Sequence, residues 1–230
     1  NGTLVAQAED TTYTSGDIAL VAATFGEDAT EIHFDDLVIR QPSALVLQDD
    51  FSDPTSGWTV KEWDGGDAGY REGVYYIRAE DKDYYYYGWP GLTLSAVEIE
   101  VQAQSVLLPT DDNNSFGVGC HLQSSGEGYF FRISGDGEYS LFMEQDDGDQ
   151  WFVDWTSSSA IRTGEATNHI RAICSAGRLM LIVNHEILVD VEDDTFTQGD
   201  VGLTASTYED DATEVHFDNV TVYGRETPAP

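Results

Sequence analysis

Residues 184–222 read NHEILVDVEDDTFTQGDVGLTASTYEDDATEVHFDNVTV, and residues 1–39 read NGTLVAQAEDTTYTSGDIALVAATFGEDATEIHFDDLVI. Superposed without a gap, the two stretches agree at 17 of 39 positions, and Asp28-Ala-Thr-Glu31 falls in register with Asp211-Ala-Thr-Glu214. A bias toward acidic residues does not produce ungapped agreement of that kind, so the pair is an internal repeat. The stretch that precedes the second copy, 45–183, has no counterpart before the first. The sequence therefore predicts the last strands of a preceding, partial unit at 1–40, a linker at 41–44 (Gln41-Pro-Ser-Ala44), a complete unit at 45–225 and a proline-rich tail at 226–230.

Inside the repeat, Val215 and Phe217 share one face of a strand, whereas Val220 and Val222 have the other parity. An apolar set changes parity on one strand only where an extra residue intervenes, which predicts a β-bulge at Asp218-Asn219. The first copy has the same slip at Asp35-Asp36, between Ile32 and Phe34 on one side and Leu37 and Ile39 on the other. Outward from the repeat, runs that alternate or are rich in β-branched and aromatic residues recur at 45–51, 74–79, 92–94, 96–106, 116–123 and 128–133. Further runs follow at 139–145, 151–155, 169–175, 179–183, 187–191, 201–206 and 213–223. Gly135-Asp-Gly137 joins two of them as a hairpin. No segment carries a capped apolar period of helical spacing. Short strands at regular turn spacing predict an all-β, antiparallel two-sheet sandwich.

The chain carries 43 Asp+Glu against 10 Lys+Arg, a formal charge of −33. Nucleic acids and anionic membranes would be repelled, so neither is an expected partner. Hydrophobic residues at 40% and aromatics at 12% supply a core, unlike a disordered acidic tail. No apolar run approaches the roughly 18 residues of a membrane helix, so no membrane insertion is expected. Cys120 and Cys174 fall on expected strands, either as inert core thiols or as a disulfide. Two Lys against 26 Asp, and an ending Glu226-Thr-Pro-Ala-Pro230 that reads as a linker, favour an extracellular or cell-surface chain and hence the disulfide.

Asp49-Asp-Phe51-Ser52, Gly57-Trp58, Gly73-Val-Tyr75, Gly199-Asp-Val-Gly-Leu203 and the closing Val215-His-Phe-Asp-Asn-Val-Thr-Val222 resemble the concanavalin A-like jelly rolls. Laminin-G-like domains and the carbohydrate-associated sandwiches of secreted bacterial proteins are the nearest in pattern. The resemblance covers 45–225 and implies a jelly-roll sandwich. It leaves the activity open, because that superfamily contains lectins, adhesion modules and glycosidases.

Glycoside hydrolysis needs two carboxylates across a cleft. Glu98 and Glu100 project from one face of one strand, but Ala103 stands where family 16 hydrolases of this fold carry their last acid. His216 between Glu214 and Asp218 has no glycine-framed serine nearby, and His33 repeats its setting, which points to a structural role. The chain is therefore not expected to be an enzyme. Asp111, Asp112 and Asn113 are the first candidates for a Ca²⁺ site, since that ion takes oxygens from acidic loops and many laminin-G-like domains hold one. Tyr84, Tyr86, Trp89 and Trp151 are the candidate sugar platforms, because flat rings stack on pyranose faces.

The repeat suggests assembly. Leu4, Ile18, Leu20, Ile32 and Phe34 would form the apolar face of a strand set too small to be stable alone, so an adjacent repeat or another copy of the chain would cover them. The leading expectation is a non-catalytic extracellular module, a subunit of a surface filament or a link in an adhesive array. The alternative is a calcium-assisted carbohydrate-binding module whose partner is a glycan.

Overall fold

The computed structural model describes residues 20–25, 30–33, 44–175 and 177–226. The chain divides into two units, Leu4–Pro42 in one and Asn1–Thr3 with Ser43–Pro230 in the other. The second is a two-sheet antiparallel sandwich. Its strands are β1 (Ala44–Asp49), β2 (Lys61–Trp63), β3 (Gly66–Arg71), β4 (Val74–Ala79), β5 (Tyr85–Gly88), β6 (Leu94–Leu107), β7 (Asn114–Leu122) and β8 (Gly128–Ile133). They continue with β9 (Glu138–Glu144), β10 (Gln150–Ser157), β11 (Asn168–Ser175), β12 (Arg178–Val183), β13 (Glu186–Glu192), β14 (Asp200–Thr207) and β15 (Thr213–Glu226). Among the described residues there is no α-helix, only a 3₁₀ turn at Thr110–Asp112.

The nine-stranded sheet runs β13-β12-β11-β6-β15-β4-β3-β2, with β1 also paired to β15. The six-stranded sheet runs β10-β9-β8-β7-β14-β5. Strict alternation explains the core between them. Tyr75, Ile77, Ile99, Val101 and Phe217 point inward from the larger sheet and Phe116, Val118, Tyr129, Phe131 and Leu203 from the smaller, each no more than 1% exposed. Cys120 of β7 and Cys174 of β11 form a disulfide that ties one sheet to the other, with their Cα atoms 6.5 Å apart.

The parity slip in β15 has a visible cause. Residues 213–217 pair with β4, whereas 220–224 on the same edge pair with β1. The change of neighbour falls at Asp218-Asn219, where the register with β6 also slips and Asn219 takes φ +52°. The equivalent Asp35-Asp36 lies outside the described residues.

Three strands are absent from the sequence reading. Gly66-Asp-Ala-Gly-Tyr-Arg71 of β3 has few β-formers and is held by six paired positions with β4, which in turn holds β2 through β3. The tyrosine run gives β5, and its facing is set by Gly88. A Cβ there would lie 2.0 Å from the Tyr75 hydroxyl, so Gly88 is the residue that faces the core, and Tyr86 with it.

In the other unit Leu20, Val21, Phe25 and Ile32 are described, and none is in a strand; they are 50%, 78%, 103% and 50% exposed. Their counterparts Leu203 and Val215, at the positions of Leu20 and Ile32, are 0% exposed inside the sandwich. Leu4, Ile18 and Phe34 lie outside the described residues. One contact is common to both copies: the imidazole Nε2 meets a carboxylate oxygen two residues earlier, His33 with Glu31 and His216 with Glu214, each at 2.8 Å.

Candidate functional site

The inward face of the six-stranded sheet is core, so its outward face is where large side chains need another reason to be present. Cross-strand pairing lays them out in rows. Trp151 of β10, Phe142 of β9, Phe130 of β8, Gly119 of β7 and Gly202 of β14 are successive partners. In the next row the partners are Ser140, Arg132, Gly117, Thr204 and Tyr87. The rings form a chain of contacts, Trp151 to Phe142 at 5.2 Å, Phe142 to Phe130 at 5.1 Å and Phe130 to Tyr87 at 5.3 Å, the first two stacked. Phe130 reaches Tyr87 because the two strands between them carry glycines in its row.

Beside Tyr87 and Phe130 a cleft of about 640 Å³ opens, bounded also by Trp89, Leu122, the 123–126 loop and Gln198-Gly-Asp200. Trp89 stands 41% exposed at its wall, yet its backbone is fixed. Its carbonyl accepts from Thr59 N and from Thr59 Oγ1, both at 3.1 Å. Thr59 is itself held by the buried Tyr75, whose hydroxyl donates to the Thr59 carbonyl at 2.6 Å. Gln123 Nε2 donates to the carbonyls of His121 and Gln198 at 2.8 and 2.7 Å, joining the two loops that line the opposite side. Asp200 Oδ1 accepts from the backbone N–H groups of Leu92 at 2.9 Å and Val201 at 2.8 Å. Burial nevertheless pushes the Asp200 carboxyl up to about 6, against those hydrogen bonds. Glu144 is likewise raised, by burial first and then by Asp149, while the Tyr87 hydroxyl donates to it at 3.3 Å.

The expected platforms are distributed unevenly. Trp89 lines the cleft. Trp151, 40% exposed, lies at the far end of the aromatic row, and Tyr84, 65% exposed, precedes β5 and does not line the cleft. Tyr86 is 6% exposed and packs between the sheets against Trp63 at 5.4 Å, so the outward rings of the run are Tyr85 and Tyr87. Tyr87, Phe130, Asp200 and Arg132 were not among the site residues expected from the sequence. The alternation of Tyr129, Phe131 and Ile133 with Phe130 and Arg132 carried that signal, since large rings on both faces of one strand mean that both faces are covered.

Of the expected calcium ligands Asp111, Asp112 and Asn113, the last bonds to the 209–211 turn, as does Thr110 before them. Asn113 Nδ2 donates to Glu209 Oε1 at 2.8 Å, and Thr110 Oγ1 donates to Asp211 Oδ2 at 2.7 Å. Among the described residues no group of three or more His, Cys, Asp and Glu side chains is arranged around a common point for a metal ion. Glu98 and Glu100 are on the outer face of the larger sheet, where both hold Arg171, at 2.5 and 3.0 Å. Glu214 is engaged by His216 and by Arg71 at 2.7 Å. Burial acts to raise its carboxyl, but these partners bring it below its ordinary value.

No protein-family model matches the chain, and no curated protein does. Solved structures are similar to it in fold. They include a carbohydrate-binding module, CBM66 of Bacillus subtilis, at 16% identity over 74% of this chain and 96% of that one, with a TM-score of 0.50. A Bacillus subtilis protein of unknown function with a galectin-like fold matches at 9% identity over 81% and 99%, TM-score 0.59. The GH43 protein BlXynB of Bacillus licheniformis matches at 13% identity over 77% of this chain and 39% of its own, TM-score 0.59. The Ser43–Pro230 unit thus has the antiparallel jelly-roll sandwich fold of these solved structures.

Proposed function

We propose that the sandwich is a non-catalytic carbohydrate-binding module that receives a glycan in the Trp89 cleft. One observation carries the reading: an exposed indole on a fixed backbone forms the wall of a cleft that also presents Tyr87, amide groups and a carboxylate. Flat apolar surface flanked by a few convergent polar groups is what a pyranose needs, a ring face to stack on and partners for its hydroxyls. The similarity to a solved carbohydrate-binding module supports the same reading. The non-catalytic part rests on Glu98 and Glu100, which are committed to Arg171. A disulfide between the sheets suits a secreted chain. On a glycan array the protein should be retained by at least one class of oligosaccharide, and Trp89→Ala should weaken retention about tenfold or more, which is about 1.4 kcal/mol. Absence of retention by any glycan, or undiminished retention by a folded Trp89→Ala variant, removes the reading.

A second reading, assembly into an array or filament through residues 1–40, is favoured by the exposed Leu20, Val21, Phe25 and Ile32. It predicts a particle larger than a monomer in analytical ultracentrifugation, and its loss when the chain is shortened to 43–230. An unchanged mass per particle would end it.

A further inference from the structure

Among the described residues Arg132 is the one buried arginine. Arg71, Arg78, Arg171 and Arg178 each meet a carboxylate. Arg132 is 1% exposed, and among the described residues no carboxylate lies within the 4.0 Å of an ion pair. Its Nη1 donates to the Tyr208 hydroxyl at 3.2 Å, while Nε and Nη2 are buried without a partner. Aromatic rings surround the guanidinium carbon, with centroids at 4.0 Å for Phe142, 4.4 Å for Tyr85, 5.6 Å for Trp155 and 6.0 Å for Trp151. Two more orphans stand in the same cross-strand row and on the same face, Ser140 Oγ and Thr204 Oγ1.

Cation–π contacts offset part of the cost of burying a charge, but they satisfy no N–H donor. Nε and Nη2 lie along one edge of the guanidinium plane, a fork whose spacing matches the two oxygens of a carboxylate. Glu144 acts on the Arg132 charge from beyond ion-pair distance but gives the fork no acceptor, and an external acid supplies the two acceptors that Nε and Nη2 lack. We propose that Arg132, flanked by Ser140 and Thr204, is the subsite for the carboxylate of an acidic sugar, a hexuronic or sialic acid residue. The inference rests on the glycan-binding reading above and adds the ligand's class. Phe130, which touches both Phe142 and Tyr87, joins this subsite to the Trp89 cleft.

The fork is buried, so a ligand reaches it only when the rings that cover it move, and Trp151 and Trp155 are the two indoles against the guanidinium. Both stand on β10, the outermost strand, whose register with β9 slips on either side of Val153. Ring displacement there makes indole fluorescence the reporter. The net charge of −33 sets a condition: the ligand carries isolated carboxylates, because a dense polyanion is repelled at long range.

The test uses the full chain with D-galacturonate, D-glucuronate and N-acetylneuraminate, each against its methyl ester, together with the neutral glycans of the array. At least one acid should shift the tryptophan emission and bind at least tenfold tighter than its ester. Arg132→Lys, which keeps the charge and loses the fork, should erase that preference. If the variant does not fold, the acid-to-ester ratio of the unaltered protein decides alone. Retention of neutral glycans with no preference for acid over ester overturns this inference and leaves the Trp89 cleft standing. Failure of every glycan overturns both. A preference that persists at full strength in folded Arg132→Lys overturns the assignment to Arg132.

Discussion

Asp200 borders the cleft, and its environment couples the cleft to pH. Desolvation holds its carboxyl at about 6 in the folded chain, against an ordinary value of 3.8. Ionisation is therefore harder in the folded state than in the unfolded one. The contribution of this group to stability is full below 3.8 and is lost as pH rises through 6. Asp200→Asn abolishes the dependence, so the melting temperature of the wild type should gain on that of the variant as pH falls from 7 to 4. A constant difference across that range would show that the carboxyl is not strained by burial. Gly88 acts at the same scale through sterics. Gly88→Ala drives a Cβ into the Tyr75 hydroxyl, 2.0 Å away, and Tyr75 is buried and anchors Thr59, which fixes Trp89. Overpacking of this kind costs about 1–3 kcal/mol, measurable by urea denaturation, and glycan retention should fall with it. The same glycine explains what the sequence hid. Tyr84-Tyr-Tyr-Tyr87 announces alternation but not which pair faces out, because that parity is set by a contact to Tyr75 of another strand.

At the scale of elements, the disulfide and the β15 bulge carry the testable energetics. The Cys120–Cys174 bridge spans a sequence separation of 54 and links the two sheets. Closing a loop of that size stabilises by about 4 kcal/mol on the chain-entropy model, so Cys120→Ala with Cys174→Ala should lower the unfolding free energy by up to that amount. A loss below about 1 kcal/mol in urea titration would mean that packing, not the cross-link, holds the sheets together. Asn219 at φ +52° occupies the left-handed region, which glycine enters freely and β-branched residues do not. Asn219→Gly should be near neutral and Asn219→Val should cost about 1–2 kcal/mol. The slip in β15 was legible as a change of parity between Phe217 and Val220. The exchange of β4 for β1 that produces it was not, since partner choice is a property of the sheet. β2 and β3 were illegible for a related reason: their residues have little strand preference, and pairing to β4 confers it.

For the whole molecule the governing quantity is the charge of −33. Self-repulsion among surface carboxylates destabilises the compact state and is screened by salt, so the melting temperature should rise between about 10 and 200 mM NaCl. Specific calcium binding at the junction of Asp111 and Asp112 with the 209–211 turn is a separate proposal, and the two effects separate cleanly. Two hydrogen bonds join the two turns there, Thr110 to Asp211 and Asn113 to Glu209. Ca²⁺ takes six to eight hard oxygens, and since no three acidic side chains converge among the described residues, a bound ion would have to draw the two turns together around it. About 1 mM CaCl₂ has the ionic strength of about 3 mM NaCl, far too little to screen charges over a Debye length. A bound ion should therefore add a saturating rise in melting temperature that EDTA removes and matched NaCl does not reproduce, and Asp112→Asn should reduce it. Equal responses to the two salts at matched ionic strength would reduce the acidic turns to ordinary solvated charge and withdraw calcium from the binding of any glycan.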